Sequence, residues 1–253
     1  MITVGYSTRE HNPQFIEYLK KSSGFKKIEV IEKINNGEKS LSEVYNKILE
    51  QSENDIVVLC HDDLKFDTHG WLYKLKSHFE KNPEYGIIGL AGSKYMPKSG
   101  MWWEVQPTMY GIVNHENEGK KWESKYSPNE GKISNVVVVD GLFISLHKGR
   151  IKETFDTEMP GFHFYDLSFS FSNSLKGVKV GVTYDIRVTH LSLGETPTQW
   201  DINRQLFVEK HKDNLPLKYE EVGDLTTFVM CHDQKIIKSN LESGKFKSLG
   251  NVV

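Results

Sequence analysis

The chain has 253 residues, enough for one large domain or two small ones. Its 32 basic and 34 acidic side chains nearly cancel, which argues against a nucleic-acid binder or a polybasic membrane protein. Cys60 and Cys231 lie far apart and give neither zinc-ligand spacing nor a disulfide framework. The N-terminal MITVGYSTRE lacks the basic and then apolar pattern of a signal peptide. No apolar run reaches the roughly 18 residues of a membrane span. The expected location is cytoplasmic, with peripheral membrane contact left open.

Ile2 to Tyr6 read as a first strand ending at Ser7, Thr8 and Arg9. Pro13 stands where a helix can start, with Phe15, Ile16 and Leu19 on its apolar face. Lys27 to Glu32 read as a second strand, followed by Asn35, Asn36 and Gly37. Ser40 and Glu43 have the spacing of a capping box ahead of Leu41, Val44, Tyr45, Ile48 and Leu49 at helical intervals. The run from Ile56 to Cys60 is too short for a helix and suits a strand buried on both faces of a parallel sheet. Trp71, Leu72, Leu75 and Phe79 mark another helix, closed near Pro83, and Gly86 to Ala91 the next strand. This alternation predicts an α/β, Rossmann-like, mostly parallel central sheet flanked by helices.

The pattern changes after Gly92. Residues 93–132 are rich in Gly, Pro, Lys, Asn and aromatics, and read as loops and short antiparallel strands, including Met109 to Asn114 and a partner near Trp122. Ile133 to Val139 is a β-branched strand, and Leu142 to Leu146 continues extended. A helix is predicted from Asp166 to Leu175, stopped at Gly177, then strands at Val178–Val182 and Ile186–His190, and a helix over Thr198–Lys210. The expected organisation is a domain over 1–215, with a nucleotide-binding half at 1–92 and a second half at 93–215. Residues 216–253 form a C-terminal extension without a clear pattern.

Three polar clusters fall at element boundaries: His61-Asp62-Asp63 after the central strand, Asp166 in GFHFYD, and His190 in VTHLSLG. Acidic groups beside a hydrophobic strand are costly unless paired, and a divalent cation carrying a phosphorylated ligand would pair them. Each has a plainer reading: a polar turn for the first, a helix-start residue for Asp166, a satisfied core histidine for His190. Trp102 and Trp103 suit either packing or stacking on a sugar ring.

Taken in order over about residues 1 to 212, these motifs resemble the family 2 glycosyltransferases and their A-type nucleotide-sugar fold (GT-A). His61-Asp62-Asp63 looks like the acidic metal motif, Asp-x-Asp. Asn46 falls where the family often has Asn on the preceding helix. Val139-Asp140-Gly141 resembles the segment that closes around donor and acceptor. Asp166 fits the Glu-Asp motif with its downstream Gly177, and His190 the late histidine near metal and diphosphate. The chain departs from the pattern in four places. His61 stands for the first Asp, Tyr165 for Glu, and Ser168 and Ser172 where an acidic residue and an arginine are frequent.

The resemblance implies inverting, metal-dependent transfer of a sugar from a UDP- or GDP-linked donor to a hydroxyl acceptor, a glycan or glycolipid, in polysaccharide or glycoconjugate synthesis. Asp166 would be the base. Asp63 and His190 would bind Mn2+ or Mg2+, with the imidazole tilting the choice toward manganese. Ser7, Thr8, Arg9 and Asn35 would lie beside the nucleotide, Asp62 on the ribose or a metal-bound water, and Asn46, Asp140, Gly141 and Trp103 would complete the donor site. The aromatic-rich insert would act as a mobile flap. A non-catalytic sugar-nucleotide or glycan module with altered motifs is the alternative. A nucleotidyltransferase fits less well, because YSTREHNP lacks the Gly-rich basic loop that holds a triphosphate.

Overall fold

A computed structural model of the chain describes residues 1–126, 133–192 and 198–219. Strand β1 (Ile2–Thr8) is buried except at Ser7. Helix α1 (Pro13–Ser23) starts where Asn12 accepts the Phe15 N–H, and ends at Gly24 in the left-handed conformation. Edge strand β2 (Glu29–Ile34) lies two residues later than the sequence predicts, its residues all partly or fully exposed. Helix α2 (Leu41–Gln51) carries the expected capping box. The Glu43 N–H donates to Ser40 Oγ at 3.3 Å and the Ser40 N–H to Glu43 Oε2 at 2.9 Å. Such a cap contributes about 1 kcal/mol.

Strand β3 (Ile56–Cys60) is the apolar run. A short strand that the sequence pattern does not mark, β4 (Leu64–Phe66), follows, then helix α3 (Trp71–Lys81). The Phe66 ring stacks on Trp71 with centroids 3.9 Å apart, and Trp71 meets Phe143 edge-on at 5.9 Å. Both ends of the intervening polar turn, residues 61–63, are therefore anchored in the core. After β5 (Tyr85–Gly89), β6 (Ala91–Ser93) and β7 (Tyr95–Met96) come two 3-10 turns. A long hairpin follows, β8 (Met109–Asn117) and β9 (Lys120–Lys125). Strands β10 (Ile133–Val136), β11 (Val138–Val139) and β12 (Phe143–His147) lead to helix α4 (Tyr165–Leu175). Then come β13 (Lys179–Thr183), β14 (Val188–His190), helix α5 (Thr198–His211) and β15 (Leu217–Lys218), which pairs with β7.

The central sheet has the order β10-β13-β5-β12-β3-β1-β2. It is flanked by helices and mostly parallel as expected, with β2, β1, β3, β5 and β13 running one way, but β12 and β10 run against them. Strand β12 lies between β3 and β5 and runs antiparallel to both. The pairs β1–β2, β1–β3 and β5–β13 are parallel. The physical reason is that β12 is entered from the second sheet, not through a crossover helix, so the right-handed βαβ rule does not govern it.

The second sheet has the order β11-β6-β8-β14-β4, with β9 on β8. The described part of the aromatic-rich insert is thus built largely on regular sheet, held by β6 on one side and β14 on the other. Residues 1–219 pack as one unit. The proposed extension lies outside the described residues from residue 220 onward. No helix among the described residues is long and apolar enough to cross a membrane.

Candidate functional site

The topology brings distant segments to the carboxyl end of β3, the end where open α/β sheets bind ligands. Because β12 is antiparallel to β3, its beginning lies there. Phe143 is level with Cys60, and the His61 N–H donates to the Leu142 carbonyl at 3.1 Å. This sets Asp140 and Gly141 beside His61. Strand β4 pairs with β14 so that His190 is level with Leu64, and the Leu191 N–H donates to the Asp63 carbonyl at 3.1 Å. Strand β8 pairs with β14 from the other side and puts His115 level with His190. Helix α4 presents Tyr165 and Asp166 from its first turn.

The first result is a three-donor cluster. His61 Nδ1, Asp63 Oδ1 and His190 Nε2 lie within 4.8 Å of one another. His190 Nε2 is 3.3 Å from Asp63 Oδ1, 3.4 Å from His61 Nδ1 and 3.1 Å from Ser192 Oγ. The Asp63 Oδ1 contact to His190 has ion-pair distance but not hydrogen-bond alignment, and this oxygen is shut off from solvent without a hydrogen-bond partner. A buried acceptor left in this state can take a water or a cation. Burial alone would raise the Asp63 pKa, but His190, Ser192 and His61 outweigh it and hold the carboxyl at about 2. Burial and the neighbouring His190 lower the His61 pKa, which favours a neutral imidazole able to act as a ligand. Two imidazole nitrogens and a carboxylate oxygen suit a borderline divalent ion such as Mn2+ better than Mg2+.

The second result is a carboxyl group tuned in the opposite direction. Asp166 is partly buried at the start of α4. Burial, and then the charge of Asp140, push its pKa up to about 7, against the pull of backbone N–H groups at Leu167, Asp166 and Gly141. A carboxyl poised near neutrality can take a proton from a hydroxyl and later release it. Asp166 is also the helix-start residue of the plainer sequence reading, in the first turn of α4 rather than at its cap position. Phe164 occupies that position in the left-handed conformation, with no side-chain cap.

These groups line one cleft of about 1040 Å3. This is at the upper end for ligand pockets. On the β1 and β2 side it is bordered by Ser7, Thr8, Arg9, Asn35, Asn36 and Gly37. Another part is an aromatic wall. Trp103 lies 5.3 Å from Trp200 and 6.0 Å from Trp102, and Trp200 lies 5.2 Å from Phe164.

Of the residues singled out from sequence, Ser7, Thr8, Arg9, Asn35, Asp62, Asp63, Trp103, Asp140, Gly141, Asp166 and His190 all border this cleft. Asn46 does not. Its amide donates to the Phe155 carbonyl at 2.8 Å and accepts the Phe155 N–H at 2.9 Å, so both ends pin the 155 loop. Asn35 borders the cleft, but its amide is occupied in shaping the turn, donating to the Lys39 carbonyl at 3.0 Å and accepting the Lys39 N–H at 3.1 Å. Ser168 lies on the buried face of α4, where its hydroxyl donates to Asp156 at 3.3 Å.

Sequence reasoning assigned no role to three residues of the site. His61 and Tyr165 read as departures from a pattern. His115 carried no local signal at all, because only the non-local β8–β14 pairing reveals it. The His115 ring stacks on Trp122 at 4.9 Å, and its Nε2 is buried without a partner.

Solved structures similar to this chain include three with low sequence identity. The GalNAc-T7 structure with UDP, GalNAc and Mn2+ has a TM-score of 0.52 and 10% identity, over 96% of this chain and 57% of that one. The mannosyltransferase PcManGT from Pyrobaculum calidifontis, in complex with GDP-Man and Mn2+, has a TM-score of 0.49 and 12% identity, over 84% of this chain and 63% of that one. The chain thus spans little more than half the length of the first and under two thirds of the second. A197 from STIV follows with a TM-score of 0.44 and 10% identity, over 76% of this chain and 86% of that one. A search of curated proteins finds no match. The fold is that of the GT-A glycosyltransferases. A family model described as glycosyltransferase like matches residues 9–211, and the chain belongs to that glycosyltransferase-like family.

Proposed function

We propose that the protein is an inverting, divalent-metal-dependent glycosyltransferase that moves a hexose-type sugar from a UDP- or GDP-linked donor to a hydroxyl of a glycan or glycolipid. The observation that carries this reading is the convergence of His61, Asp63 and His190 at the carboxyl end of β3, around a buried carboxylate oxygen without a hydrogen bond. That GalNAc-T7, whose fold this chain shares, is seen with UDP, GalNAc and Mn2+ is consistent with it.

In this reading, residues 1–92 hold the nucleotide and residues 93–215 hold sugar and acceptor. Ser7, Thr8 and Arg9 border the base and ribose, joined by the backbone around Asn35 and by Asp62. His61, Asp63 and His190 hold Mn2+, or Mg2+ less tightly. The ion's contribution is to neutralise the diphosphate as negative charge develops on it. Asp166 accepts the proton of the acceptor hydroxyl, which then attacks the anomeric carbon from the face opposite the leaving group. Asp140 keeps the Asp166 carboxyl basic enough for this at neutral pH. Trp103 and Trp200 offer apolar faces to a sugar ring and keep water, the competing acceptor, out. A cytoplasmic role in polysaccharide or glycoconjugate synthesis completes the proposal.

The test is a thermal-shift panel of UDP, GDP, CDP and TDP with and without Mn2+. A ligand at 100 times its Kd adds about 2.7 kcal/mol of stability. The expected outcome is a Mn2+-dependent shift for one nucleotide, abolished in Asp63→Ala and His190→Ala. Donor binding without transfer or hydrolysis under any acceptor would move the reading to a non-catalytic sugar-nucleotide module.

A further inference from the structure

We infer that Tyr165 is a positioning residue for the metal site: its hydroxyl holds His61 in the Nε2–H tautomer and leaves the Nδ1 lone pair facing Asp63 and His190. The inference rests on the metal reading of the His61–Asp63–His190 cluster.

The Tyr45 hydroxyl is a further hydrogen-bonding neighbour of Tyr165, and it can donate to the phenol oxygen's second lone pair. The Tyr165 hydroxyl has one proton and lies 3.1 Å from the Gly141 carbonyl and 3.1 Å from His61 Nε2. A carbonyl oxygen can only accept, so the Tyr165 proton goes to Gly141. The phenol oxygen is then the acceptor for His61, and Nε2 carries the imidazole proton. Nδ1 is left unprotonated, 3.4 Å from His190 Nε2 and 3.9 Å from Asp63 Oδ1. The reverse arrangement would leave the Gly141 carbonyl without its proton and put an N–H on the side where the cluster needs a lone pair. Metal-ligating histidines are commonly fixed in this way through their second nitrogen.

Two neighbours make the arrangement specific. A Cβ at Gly141 would sit 2.1 Å from the Tyr165 hydroxyl oxygen, so the close approach exists only with glycine there. Tyr45 packs edge-on against the Tyr165 ring at 5.4 Å, in a part of the core where both rings are buried. His61 and Tyr165 therefore act as a pair. An aspartate ligand at position 61 has no tautomer to select. An imidazole does, and an ionised glutamate at 165 would have no proton to give the Gly141 carbonyl.

The test is calorimetric titration of Mn2+ alone into wild type, Tyr165→Phe, His61→Asp and the double variant. Removing an outer partner of a metal ligand costs about 10- to 100-fold in affinity, and that loss is expected for Tyr165→Phe. In the His61→Asp background the same substitution should change the Kd by less than about twofold, because no imidazole remains to be oriented. Gly141→Ala, which displaces the hydroxyl without removing it, should weaken Mn2+ binding in the same direction. Nitrogen-15 histidine spectra of the metal-free protein give a readout independent of affinity. His61 should show Nε2 protonated and Nδ1 free, and should lose that preference in Tyr165→Phe. Equal Mn2+ affinity of wild type and Tyr165→Phe would overturn the inference while leaving the metal site standing. So would an Nδ1–H tautomer in wild type, or a loss that persists undiminished in the His61→Asp background. Wild-type protein that takes up no Mn2+ would sink the metal reading and this inference together.

Discussion

Two carboxylates face the same cleft from different elements, and their surroundings drive them in opposite directions. Asp63, in the turn between β3 and β4, has imidazoles at ion-pair distance and is held at about 2. Asp166, at the start of α4, has burial and a second carboxylate, Asp140, as its chief influences and is raised to about 7. One is built to stay charged and the other to exchange a proton. Divergent tuning of neighbouring acids is the usual physical mark of a division of labour. In the proposed function it separates a group that would hold a cation from one that would act on a hydroxyl, the pair of tasks that glycosyl transfer sets.

The comparison can be broken most sharply at Asp166. Removing a general base costs about 10² to 10⁴ in rate. Asp166→Asn is expected to show that loss in a transfer assay while keeping wild-type affinity for nucleotide by calorimetry. Near-normal turnover would take Asp166 out of the chemistry. Asp63→Ala should do the reverse. It should remove Mn2+-dependent nucleotide binding, and with it the stabilisation of about 2.7 kcal/mol expected at 100 times Kd.

The pH dependence sharpens the contrast. Asp166 is raised from the ordinary 3.8 to about 7, so between those values the folded state keeps a proton that the unfolded chain has lost. Its contribution to stability therefore falls as pH rises through that window and stays unfavourable above it. Asp63 is lowered from 3.8 to about 2, so its contribution is present above 3.8 and is lost as pH falls toward 2. Urea unfolding across pH should show Asp166→Asn flattening the neutral-side decline and Asp63→Asn flattening the acid-side one. In the same series, Asp140→Asn should move the acid limb of the transfer rate to lower pH, because it removes the charge that raises Asp166. The smallest expected effect is at Asn46. Asn46→Ala loses two hydrogen bonds to Phe155, a stability cost of about 1 to 3 kcal/mol in denaturant unfolding, with nucleotide affinity unchanged.

The two sides of the cleft also differ in how far the sequence reveals them. Strands β1 and β3 and helices α1 and α2 are written in local signals: Pro13 at a helix start, the Ser40–Glu43 box and the apolar run ending at Cys60. Strand β2 was legible as a strand but not in its bounds, because an edge strand with no fully buried residue leaves weak alternation to read. The antiparallel entry of β12 has no local signature, since it depends on which strands it meets. For the same reason β4 and the β8–β14 pairing stay hidden, and with them the placement of His115. Helix position and family pattern do not show where an amide points, so the bonding of Asn46 to the Phe155 backbone has no signature in the sequence. His61 and Tyr165 were visible only as deviations. Their hydrogen bond joins residues 104 positions apart, and a deviation acquires a role only when its partner is known.

The most direct test of the central claim is a calorimetric titration of UDP and of GDP into the wild-type protein, each with and without Mn2+. The account predicts that one of the two binds, at least about tenfold more tightly with Mn2+, a difference of about 1.4 kcal/mol. A folded protein that binds neither nucleotide, or binds one with the same affinity in the presence of a chelator, would contradict it.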